Sequence, residues 1–203
     1  MFTKKISIVT GLFLLAASLL FFPVSRAGAT SATANTTVSA VIANVITIST
    51  GSTVTLNVTP TGGGVQTTAS DTVTVSTNDS AGYTLGIADA SASNSNLISG
   101  ANNIAASAGT QATPVVMVAG TWGYCVTSIG GFGANCPGTT TNVAISATFK
   151  FAGMPFSASP NTIKTTAATA TNDTTTVWYG VAATSSQVAG TYSSTVTYTA
   201  TAN

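Results

Sequence analysis

The stretch VTVSTNDSAGYTLGI, from Val73 to Ile87, decides the fold class. Val73 and Val75 alternate with Thr74 and Ser76, and Tyr83, Leu85 and Ile87 alternate with Thr84 and Gly86. A two-residue apolar repeat belongs to a strand with one buried face, because successive side chains point to opposite sides of a sheet. Between the runs lies Asn78-Asp79-Ser80-Ala81-Gly82, rich in residues that tolerate turn conformations. Two alternating runs joined by so short a turn predict a β-hairpin.

The same period recurs on both sides of this stretch. Val54, Leu56 and Val58 alternate with Thr55, Asn57 and Thr59. Further strands are expected at Val115 to Val118, Thr121 to Thr127, Val143 to Phe151, Thr175 to Ala183 and Tyr192 to Ala200. Thr37 to Thr50 is strand-like too, but its apolar residues change parity near Asn44, as at a bulge or between two short strands. Thr makes up about a fifth of the 203 residues, whereas Glu is absent and Lys and Arg are rare. β-Branched residues favour strands, and the missing types are the usual helix formers of a surface. Ala90 to Gly109 reads as a long surface excursion pinned by Leu97, Ile98 and Ile104.

Many short strands between Gly, Asn and Ser turns predict an all-β fold, an antiparallel β-sandwich of Ig-like or Greek-key type. We expect residues 1–29 to be a signal peptide, 30–36 a flexible N-terminal arm, and 37–203 one β-sandwich domain. Lys4 and Lys5 precede an apolar run of seventeen residues, Ile6 to Phe22, and Ala27-Gly28-Ala29 supplies a small-x-small cleavage site. Cleavage after Ala29 is expected. A retained leader would be the chain's membrane attachment, although its run is at the short limit for a span. The expected location is extracellular, at the cell surface.

Three of the five cations, Lys4, Lys5 and Arg26, belong to that leader. Beyond it, Lys150 and Lys164 stand against Asp71, Asp79, Asp89 and Asp173, two positive charges against four negative. Two isolated lysines cannot make the several phosphate contacts that nucleic-acid binding needs. The two cysteines, Cys125 and Cys136, enclose ten residues, a spacing that in an exported chain predicts a structural disulfide rather than a redox pair.

No His and no Glu occur, so a Ser-His-Asp site is impossible and a glycosidase pair would need two aspartates to meet. In a hairpin Asp71 and Asp79 would sit at opposite ends of one strand, roughly 20 Å or more apart, while Asp89 could approach Asp71 at its open end. We read the four as turn and strand-end caps, and expect no enzyme, catalytic residue, cofactor or metal site. The remaining binding chemistry is aromatic. Trp122 and Tyr124 share one strand and Trp178 and Tyr179 another, and exposed rings of these types stack on sugars. Trp178 and Tyr179, being adjacent, must face opposite sides.

The closing stretch Ala189-Gly190-Thr191-Tyr192-Ser193-Ser194-Thr195-Val196-Thr197-Tyr198-Thr199-Ala200, together with the strand of Trp122, resembles the WxL-type cell-surface domains of Gram-positive bacteria and Thr-rich bacterial surface proteins. The position of the motif's Leu is held by Tyr124 or Gly180. The resemblance implies non-covalent attachment to cell wall. Two functions are therefore expected to compete. One is a surface-layer or appendage-type subunit that associates with itself or with other surface proteins, its segment Thr30 to Thr50 adding to a neighbour's sheet. The other is an adhesin module that binds cell-wall glycan through the four aromatics.

Overall fold

The computed structural model describes Gly28, residues 30–134 and residues 136–203. The expected signal peptide, residues 1–29, lies outside the described residues except for Gly28. Two units are distinguished, one ending at Val41 and a body from Ile42 to Asn203. Taken by itself, the described part of the first unit has no strand and is exposed throughout.

The body is all-β, as its alternation predicts. Its strands are β1 (Ile46–Ser49), β2 (Val65–Thr77), β3 (Tyr83–Asp89), β4 (Leu97–Ser99), β5 (Asn102–Ala106), β6 (Val115–Val116), β7 (Thr121–Cys125), β8 (Thr140–Ala144), β9 (Lys150–Phe151), β10 (Asn161–Thr165), β11 (Ala170–Ala183) and β12 (Val196–Ala202). The large sheet has the order β1-β2-β11-β7-β5-β4, with β8 also paired to β2. A smaller sheet, β10-β3-β12, packs on it in a sandwich-like arrangement, and β6 with β9 forms a short ribbon. Pairing is antiparallel except between β5 and β7.

The stretch that decides the fold class does so by a different connection from the expected hairpin. β2 and β3 are both strands, but β2 is bonded to β1, β8 and β11, and β3 to β10 and β12. Residues 78–82 therefore arch from one sheet to the other. Val73, Val75, Tyr83, Leu85 and Ile87 are all fully buried in the core between the layers. An arch and a hairpin bury the same alternate residues, so periodicity alone could not tell them apart. The arch is held by Asp79, whose Oδ1 accepts from the Ala81 amide (2.8 Å) and whose Oδ2 accepts from Asn44 Nδ2 (2.6 Å). Gly82 has φ +85° and sits against the Thr166 backbone, where a Cβ would have no room.

Other expectations shift in extent. Regular pairing at the N-terminal side begins at Ile46 rather than Thr37, and just before it Asn78 binds the backbone of residues 43–45: its Oδ1 accepts from the Val45 amide (2.7 Å) and its Nδ2 donates to the Ala43 carbonyl (3.0 Å). Val54, Leu56 and Val58 alternate inward and pack on the core as expected, yet this segment joins no ladder. Val143 to Phe151 is broken into β8 and β9. The excursion from Ala90 to Gly109 contains the hairpin β4–β5, and β5 enters the main sheet with Ile104 buried. β10, around the buried Ile163, carries too little alternation for its sequence to have revealed it.

Candidate functional site

β7 and β11 bring the aromatic residues together. In their register Tyr124 stands opposite Tyr179, Trp122 opposite Val181, Gly123 opposite Gly180 and Cys125 opposite Trp178. Trp122, Tyr124 and Tyr179 are buried. Their polar atoms are used internally. Trp122 Nε1 donates to the Ser95 carbonyl (2.8 Å). The Tyr124 hydroxyl donates to Gln111 Oε1 (2.9 Å) and accepts from Asn161 Nδ2 (2.7 Å), while its ring meets Phe132 edge-on at 5.5 Å. The Tyr179 hydroxyl is bonded to that of Tyr198. These three rings offer no open face to a ligand. Trp178, the neighbour of Tyr179 on the opposite side of β11, is half-buried.

Burial keeps the phenols neutral. It pushes Tyr124 up to about 12, against the opposing hydrogen bond from Asn161. Burial is also the main cause of the raised Tyr179, with the neighbouring Tyr198 adding to it. Tyr198 is raised by burial too, reinforced by Asp71 and partly offset by the bond to Tyr179.

The four carboxylates are dispersed. Asp71, on β2, accepts from the Thr50 hydroxyl and the Gly51 amide (2.9 Å). Asp79 holds the arch. Asp89, at the end of β3, accepts from the Ser91 amide (2.8 Å) and the Ser194 hydroxyl. Asp71 and Asp89, which could have met at the open end of a hairpin, lie on strands of different sheets. Asp173 receives Lys164 Nζ and the Tyr83 hydroxyl (2.9 Å). Burial alone would raise Asp173, but the bonds from Lys164 and Tyr83 and the ammonium charge outweigh it and hold the carboxyl below its ordinary value. Among the described residues no three of His, Cys, Asp and Glu form a group that could hold a metal ion. Cys125 and Cys136 are joined as expected, which suits an oxidising compartment.

The sheet edges differ sharply in how they are protected. At β10 Lys164 supplies a charge, and β4 is three residues long and continued by a bridge from Ile98 to Ser193 with bonds of 3.0 and 3.1 Å. β12 is seven residues long, VTYTATA, with neither charge nor Pro, and among the described residues its ladder is with β3 alone. It comes up against β1 without pairing to it. Its inward row, Val196, Tyr198 and Ala200, is packed on the core but only half-buried. Val54, Leu56 and Val58 are in the same condition. Such an edge is a template for another strand.

A second uncovered feature is the N-terminal segment. Val38, Val41 and Ile42 are 90%, 96% and 83% exposed. Moving one such side chain from water into a core is worth about 1.5–3 kcal/mol. Sequence reading singled out this segment but missed the β12 edge. The available signal was a seven-residue alternation without a gatekeeping charge. Comparison with protein-family models, curated proteins and solved structures finds no match to this chain.

Proposed function

We propose that this chain is an exported structural protein of the cell surface, a surface-layer or appendage-type subunit or wall-associated domain working through non-covalent contacts. The observation that carries this reading is the exposed apolar segment Val38 to Val45, which lies in a stretch without charge from Thr30 to Thr50. The disulfide supports an oxidising destination, and the basic-apolar-small leader supports export. The resemblance to WxL-type domains adds non-covalent wall attachment to the proposal. Two measurements test it. Surface labelling of intact cells should reach the protein, and the purified exported form should sediment as larger species when concentrated. A protein that is shielded in intact cells and monomeric at high concentration would contradict the reading.

A wall-glycan module is the second reading, and Trp178 is what favours it, since that ring keeps a partly exposed face. Trp178→Ala should then release the protein from isolated cell wall. Unchanged retention by the variant would remove this reading.

A further inference from the structure

Resting on the subunit reading, we infer that the edge of β12 that has no ladder partner, although β1 lies close to this strand, is an acceptor site for residues Thr36 to Ile42 of a second copy of this chain, which adds there as an extra strand. The two partners match in chemistry. Neither Thr36 to Ile42 nor β12 contains a charge or a proline. In an extended chain Val38, Ala40 and Ile42 would share one side and Val41 would lie on the other, and all four are exposed. On β12, Val196, Tyr198 and Ala200 recur with the two-residue period of a strand and are half-covered. An added strand would place one apolar row beside the other and give both backbones a ladder, and neither segment carries a charge of its own.

The extended segment Val54 to Val58 faces the core with alternate residues but has no ladder of its own. Its polar ties are single ones: Asn57 accepts from the Thr67 hydroxyl (2.9 Å), and the following Thr59 amide donates to Asn142 Oδ1 (2.7 Å). Within the body, residues 43–45 are clamped to the arch by Asn78 and Asn44. The clamp fixes where the donor segment leaves each copy. Donor and acceptor are different surfaces, so each copy that gives a strand still has its own β12 to offer. Such a heterologous contact extends into rings or filaments rather than stopping at a two-fold dimer.

Hydrogen exchange on the full exported chain, followed across a concentration series, tests this. Amides of residues 36–42, and the β12 amides not bonded to β3, should exchange at least about tenfold more slowly in concentrated than in dilute protein. The double variant Val38→Asp with Ile42→Asp should lose both protections and the association, whereas Val188→Asp, at another exposed apolar site, should keep them. Protection of both segments independent of concentration would mean that each chain covers its own edge, and would overturn the second-copy assignment. Association without protection of these segments would overturn the inference and leave the subunit reading standing. Absence of association at every concentration would remove the subunit reading and this inference with it.

Discussion

Gly180 shows how tightly single residues are specified. It sits on β11 opposite Gly123, and a Cβ there would lie 2.6 Å from Phe151 Cε1 and 2.8 Å from Met117 Cε, both in buried side chains. Gly180→Ala should therefore cost about 1–3 kcal/mol by overpacking, read as a lower urea midpoint with an unchanged slope. The tyrosines give a pH signature. Tyr83, Tyr124, Tyr179 and Tyr198 all titrate above their free value of 10.0 in the folded chain, chiefly because they are buried. A raised folded value means that their contribution is complete below pH 10 and is lost as pH rises through the folded values. For Tyr124 alone the loss approaches on the order of 2–3 kcal/mol by pH 12. Asp173 has the opposite sign: held low when folded, it stabilises above its ordinary 3.8 and ceases to do so as pH falls through the folded value. The melting temperature should be flat from about pH 5 to 9 and fall at both ends, more steeply at the alkaline one. At this scale sequence identified Trp122, Tyr124, Trp178 and Tyr179 as the notable rings. It could not show that Ser95, Gln111 and Asn161 would satisfy two of them, because those partners lie on other segments that only the folded chain brings close.

Among the elements, alternation was legible wherever one face of a strand is buried, and the partner of each strand was not. Val73 to Ile87 carries the clearest pattern in the chain, yet its two strands are bonded to different neighbours. Strand pairing is decided by which edges are free when the layers close, and a local turn rich in Asn, Asp and Gly serves an arch as well as a hairpin. Asn78 is what ties this arch to the N-terminal side. Asn78→Ala removes two hydrogen bonds and should cost about 1 kcal/mol, with faster amide exchange confined to β1 and residues 43–45. The disulfide, by contrast, was readable from spacing, since the loop between Cys125 and Cys136 is short and the chain has no other cysteine. Reducing it should lower stability by about 2.5–3 kcal/mol on the chain-entropy model, measured by chemical unfolding with and without reductant.

Scarcity of charge is the property that governs the whole molecule. Within the body the four aspartates and Lys164 are bonded at turns, at strand ends and in the Lys164–Asp173 pair, and Lys150 is exposed on β9, leaving long Thr-rich faces. Proteins guard long sheet edges with charges, prolines or bulges, and β12 has no charge and no proline. Together with the exposed valines and isoleucine of the N-terminal segment, this makes self-association through uncharged surfaces the central claim. An interface without ion pairs should be insensitive to ionic strength, because there is little for salt to screen. Sedimentation velocity of the purified exported protein over a concentration series, at low and high salt, tests this most directly. The account predicts species growing with concentration to the same extent in both salts; a monomer at every concentration, or association that salt dissolves, would contradict it.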